Sequence, residues 1–160
     1  MGTMATTQQD KQDFLQRIDS TYAAALETLQ HHDPLRVVHA DTNWRVKDLI
    51  AHVVTWENEM ARALYIHRRG GEIDVPDDFD EDDFNANAAH VRYGDSMEQI
   101  YADWSAARGW LKVLIGAMTP EQIDETMRHP WGKTGTVRDL INSLFSHLEE
   151  HMAQITGESV

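Results

Sequence analysis

The chain contains no cysteine among its 160 residues. That absence removes disulfides, thiolate metal ligands and a cysteine nucleophile together. No apolar run approaches the roughly 20 residues that a membrane span needs. Basic residues are scarce: 14 Lys and Arg stand against 27 Asp and Glu, a formal net charge of −13. So acidic a surface repels phosphate backbones and anionic headgroups, so neither nucleic acid nor a membrane is expected as a partner. The N-terminal residues 1–9 are polar and lack the apolar core of a signal peptide. They read as a disordered segment of a cytoplasmic protein, with one domain over residues 10–160. Hydrophobic residues make up 41% of the chain, which suffices for one hydrophobic core without covalent staples.

What is present is helical periodicity. Phe14, Ile18, Tyr22, Leu26 and Leu29 recur at spacings of four and three and predict a first helix over residues 10–31. Pro34 ends it, because proline disfavours helix at the residue before it. Val46, Leu49, Ile50, Val53, Trp56, Met60 and Leu64 predict a second helix over 45–69, stopped by Gly70-Gly71. The segment 72–95 has no such period. Its acidic run over 77–83 lacks the glycine and the alternating ligands of a calcium loop and reads as solvated surface; residues 84–91 are the part able to form a short helix. Ser96 and Gln99 have capping-box spacing ahead of a third helix carrying Ile100, Trp104, Leu111, Leu114 and Ile115. Thr119-Pro120 opens a short turn. Thr136 caps a fourth helix carrying Leu140, Leu144, Leu148 and Ile155. No segment reads as a strand, so the expected class is all-α, a four-helix bundle.

Three histidines interrupt apolar stripes. Leu140, Leu144, His147 and His151 follow one another at spacings of four, three and four, so two imidazoles occupy core-facing positions one turn apart. His52 sits likewise between Leu49 and Trp56. At about 1.5 Å per residue, His52 lies roughly 9 Å from the start of its helix, and His147 and His151 lie roughly 6–12 Å from the end of theirs. If the second and fourth helices run antiparallel, all three rings meet at one level. That arrangement makes the second and third helices parallel and needs a long crossover between them, which residues 72–95 supply: an up-down-down-up bundle. Two readings stand side by side: hydrogen-bonded boundary histidines, or a metal centre with an open coordination position, as catalytic sites have. The segment His147-Leu148-Glu149-Glu150-His151 is not the zincin motif, which needs glutamate directly after the first histidine. Glu149 points away from the site on the helical wheel and Glu150 lies on its flank. Glu57, one turn from His52, is the carboxylate considered as a support or general base, against the plainer reading of a solvated glutamate. Trp56 and Trp131 are candidate pocket walls, against the plainer reading of core aromatics.

The segments 44–57 (Trp44-Arg45-Val46-Lys47-Asp48-Leu49-Ile50-Ala51-His52-Val53-Val54-Thr55-Trp56-Glu57) and 147–155 resemble the second and last helices of DinB-like proteins. Residues 74–76, 84–87 and Pro130-Trp131 also resemble the ClbS/DfsB-like branch of that family. The resemblance implies an up-down-down-up bundle and a divalent metal, nickel or zinc, on His52, His147 and His151. It also implies transfer of a low-molecular-weight thiol, isomerisation or hydrolysis as the chemistry. The expected function is a metal-dependent enzyme acting on a small electrophilic substrate in detoxification or stress response, assembled as a homodimer. The alternative is a non-catalytic protein that sequesters a small molecule on the same bundle.

Overall fold

The computed structural model describes residues 4–158. Six helices and two small hairpins follow one another among these residues: α1 (Gln8–Leu29), β1 (Val37–His39), β2 (Trp44–Arg45), α2 (Val46–Arg68), α3 (Glu81–Arg92), α4 (Met97–Gly116), α5 (Pro120–Ile123), β3 (Thr126–Arg128), β4 (Thr134–Thr136) and α6 (Val137–Thr156). None of the helices is long and apolar enough to cross a membrane.

Capping residues set the helix starts. Thr7 and Asp10 form a reciprocal capping box, so α1 begins at Gln8. Just ahead of it, the backbone N–H and the hydroxyl of Thr6 donate to the Asp124 carboxylate at 2.7 Å each. Residues 4–7 are thus pinned against α5 and α6, where the sequence reads as disordered; residues 1–3 lie outside the described part. The same box recurs at Ser96–Gln99, Thr119–Gln122 and Thr136–Asp139. At α2 the cap is Arg45, whose backbone and guanidinium both donate to Asp48.

Two sequence expectations need correction. The chain does contain strands: β1 pairs antiparallel with β2, and β3 with β4. Strands of two or three residues are too short to display an alternating pattern. Each hairpin runs directly into a long helix, β2 into α2 and β4 into α6. This accounts for the similarity of Val46-Lys47-Asp48-Leu49-Ile50 to Val137-Arg138-Asp139-Leu140-Ile141, since both aspartates accept the N–H of the residue capping their helix. The second correction concerns the acidic run. Asp80 caps α3 by accepting from the Asp83 N–H, and Glu81, Asp82 and Asp83 fill its first turn. Carboxylates there face the positive end of the helix dipole, so the charge run is a helix start as well as a solvated surface.

The core has two layers. One joins Ile18 of α1, Met60 and Leu64 of α2, Leu111 and Ile115 of α4, and Leu140 and Leu144 of α6. The other joins Ala25 and Leu29 of α1, Leu49 and Val53 of α2, Ile100 and Trp104 of α4, and Leu148 and Ile155 of α6. Arg108 of α4 bridges three helices. Its guanidinium donates to both oxygens of Glu57 on α2, at 2.8 and 2.7 Å, and to the Ile18 carbonyl and Thr21 hydroxyl of α1, at 2.8 and 2.9 Å.

Candidate metal centre

The imidazoles of His52, His147 and His151 converge. The Nε2 of His147 lies 3.0 Å from the Nε2 of His52 and 3.0 Å from that of His151. The His52 and His151 rings stand nearly perpendicular, 87° apart, with centroids 4.8 Å apart. One ligand nitrogen from each residue lies within 4.8 Å of the others, and this is the one such group of histidine and carboxylate side chains among the described residues. Hydrogen bonding fixes the state of one ring. The Gln154 side-chain oxygen accepts from His151 Nδ1 at 2.9 Å and from His39 Nε2 at 3.1 Å. With its proton held on Nδ1, His151 turns the lone pair of Nε2 to the centre. Trp44 tilts against the His52 ring, with centroids 5.4 Å apart.

Burial keeps these rings neutral. It lowers His52 from its ordinary 6.5 to about 4, with the neighbouring His151 adding to the effect. It lowers His147 to about 3, again with help from His151 and His52. His151 is also lowered by burial, against the pull of the Gln154 hydrogen bond. Three neutral imidazoles aimed at one point are a donor set that suits a divalent ion. Metal–nitrogen bonds of about 2.0–2.1 Å put adjacent ligand nitrogens roughly 3.0–3.4 Å apart, and the two 3.0 Å separations fit that range.

The lowered values give a pH dependence whose sign is fixed. Below pH 6.5 the unfolded chain takes up protons that the folded, metal-free protein refuses until about pH 4 at His52 and about pH 3 at His147. The folded state therefore loses stability as pH falls through this window, by up to about 1.4 kcal/mol per pH unit for each proton withheld. Urea unfolding of chelator-treated protein should show this fall, and a His52→Ala/His147→Ala double variant should flatten it. Equal slopes for the two proteins would contradict the burial of these rings.

A cleft of about 280 Å³ opens beside His147, lined by Trp56, Met60, Glu81, Trp131, Ser143, Ser146 and Glu150. Both tryptophans singled out in the sequence thus face it. Trp56 donates its indole N–H to the Asn85 side-chain oxygen at 2.8 Å, which ties the cleft to α3. Trp131 is carried by the turn between β3 and β4. There the His129 ring packs against it, with centroids 4.7 Å apart. Gly135 leaves room for that ring: a Cβ at this position would stand 2.6 Å from His129 Cε1.

Glu57 is elsewhere. Its carboxylate is buried and accepts from Arg108 and from the Trp104 indole N–H, and it is not among the grouped ligand atoms. Glu149 lines a groove with Arg17 and Phe145 on another face, while Glu150 reaches the cleft. Gln154, His39 and Glu81 escape the sequence reading. Gln154 lies one turn after His151, a spacing that was legible; the pairing with His39, 115 residues away, was not.

A helical bundle with three converging histidines, one of which lines an open cleft, defines a class of candidate metal-binding helical proteins. The chain belongs to the DinB superfamily, whose family model matches residues 7–155. No curated protein matches it. Two solved structures share the fold. A Streptococcus pneumoniae protein is 17% identical with a TM-score of 0.71, over 96% of this chain and 92% of the other. An uncharacterized protein from Clostridium difficile 630 is 12% identical with a TM-score of 0.74, over 92% of this chain and 94% of the other.

Proposed function

We propose that this protein is a metal-dependent enzyme that attacks a small electrophilic molecule with a thiol or water nucleophile. His52, His147 and His151 are the proposed ligands of a divalent ion, nickel or zinc. The observation that carries this reading is the convergence of three imidazole nitrogens at the edge of an open cleft. When bound, such an ion supplies Lewis-acid activation of the nucleophile. The protein's own groups do the rest. Gln154 holds the proton of His151 on Nδ1. Trp56, Met60 and Trp131 shed water from the side on which a substrate enters. The Glu57 carboxylate, paired with Arg108, is not placed to take a proton from an incoming nucleophile.

The reading includes the up-down-down-up order of α1, α2, α4 and α6. The two core layers support it: one gathers the starts of α2 and α4 with the ends of α1 and α6, and the other gathers the opposite ends. The reading also places the chain near the ClbS/DfsB-like branch, on the sequence resemblance of residues 74–76, 84–87 and Pro130-Trp131.

The test is turnover. Chelator-treated protein and protein reloaded with nickel or zinc are compared on a panel of alkylating electrophiles, with and without low-molecular-weight thiols. Consumption of an electrophile that requires both the metal and His147 is the expected result. Stoichiometric binding without turnover would replace the enzyme with a sequestering protein.

A further inference from the structure

The charge around the cleft points to what enters it. Its only ionisable lining groups besides His147 are two carboxylates, Glu81 at the start of α3 and Glu150 on α6, and no lysine or arginine lines it among the described residues. Two indoles form its apolar walls, with Trp56 and Trp131 centroids 6.4 Å apart. Phe79 and Phe84 back Trp56 on the side of α3. Carboxylates beside indole rings are the surroundings that hold an organic ammonium group, through ion pairing and the negative face of the ring. The net charge of −13 adds a field that concentrates cations and repels anions.

We propose that the cleft selects small molecules carrying an ammonium group attached to an apolar body, and that Glu81 and Glu150 are the residues that read the charge. The apolar body rests against Trp56, Met60 and Trp131, the ammonium group lies at the mouth between the two carboxylates, and the remaining end is directed toward His147. A substrate or thiol of net negative charge, having no basic side chain to meet in the cleft, is excluded. This specificity rests on the functional reading above only for the chemistry that follows binding; the binding itself belongs to the cleft and is testable without metal.

The probes are phenethylammonium and its anionic counterpart of similar shape, 3-phenylpropionate. They are titrated into chelator-treated protein at neutral pH and physiological ionic strength. Binding is followed through the indole N–H resonances of Trp56 and Trp131, assigned with Trp56→Phe and Trp131→Phe. The ammonium probe should shift both resonances and bind at least about fivefold more tightly than the carboxylate, the scale expected for two partly solvated ion pairs with a ring contact. The Glu81→Gln/Glu150→Gln double variant should bring the two probes within about twofold of each other. A Glu121→Gln/Glu149→Gln control, which lowers the overall charge equally away from the cleft, should keep the preference. Equal or tighter binding of 3-phenylpropionate, or a preference that survives in the cleft variant or disappears in the control, would overturn the proposal. A second portion of each preparation is reloaded with nickel or zinc, and its metal content is measured. Failure of the metal reading then shows as a chain that does not load, and failure of the charge reading as a chain that does not discriminate.

Discussion

Alanine at His52, His147 or His151 will abolish loading with a divalent metal, each variant falling from about one ion per chain to near zero. Each ligand removed takes away a third of the donor set, and the two that remain bind far more weakly. Gln154→Ala leaves all three ligands and removes only the group that orients one of them. It should weaken binding about 10–100-fold without abolishing it. Stability reports the same ranking. At a free metal concentration about a thousandfold above its dissociation constant, binding stabilises the native state by about 4 kcal/mol. For a chain of this length that is a rise in melting temperature of roughly 8–16 °C. The three histidine variants should show almost none of this rise, and Gln154→Ala about one third to two thirds of it. His67 pairs with Glu125, far from the centre, and His67→Ala should load as the parent does. A His52→Ala protein that loads normally would break the link between α2 and α6 on which the site depends.

Arg108→Met will strongly destabilise the fold. The substitution keeps most of the buried volume and leaves the Glu57 carboxylate without its counterion. Removing one partner of a buried pair costs about 3–5 kcal/mol, a drop of roughly 6–20 °C in melting temperature. The pH dependence identifies the cause. Burial already pushes the Glu57 carboxyl above its ordinary 4.5, with Arg108 and the Trp104 hydrogen bond pulling the other way. Without Arg108 the folded protein takes up a proton at still higher pH. The deficit of the variant is then present above pH 4.5 and shrinks as pH falls toward it, because protonation relieves the stranded charge. A Glu57→Leu/Arg108→Met double variant should recover much of the loss. A deficit that grows in acid would contradict this assignment.

The long helices are legible in the sequence because each carries a complete apolar stripe and a capping residue. Ser96 with Gln99 and Thr136 with Asp139 mark their starts to the residue. The strands and the start of α3 are hidden for the opposite reason. Thr126-Met127-Arg128 has no room to alternate, and the first turn of α3 is spelled in carboxylates that read as a solvated loop. The three histidines are legible because each replaces an apolar residue in a stripe, and the rise per residue puts them at one level. Glu57 shows the limit of the same reasoning. Helical spacing places it a turn from His52, but not on which side of α2 its carboxylate finds a partner. Only the approach of Arg108 and Trp104 from α4 decides that. Glu81 and Glu150 come to line one cleft through tertiary packing that no local pattern encodes.

The central claim, that three imidazoles hold one ion, is tested most directly by anomalous diffraction at the absorption edge of the metal. The crystals would be of untagged protein reloaded with nickel or zinc. The predicted result is one strong peak per chain, within about 2.0–2.2 Å of the Nε2 atoms of His52, His147 and His151. A loaded protein whose peak lies away from these three nitrogens, or a protein that shows no peak after loading with either metal, would contradict it.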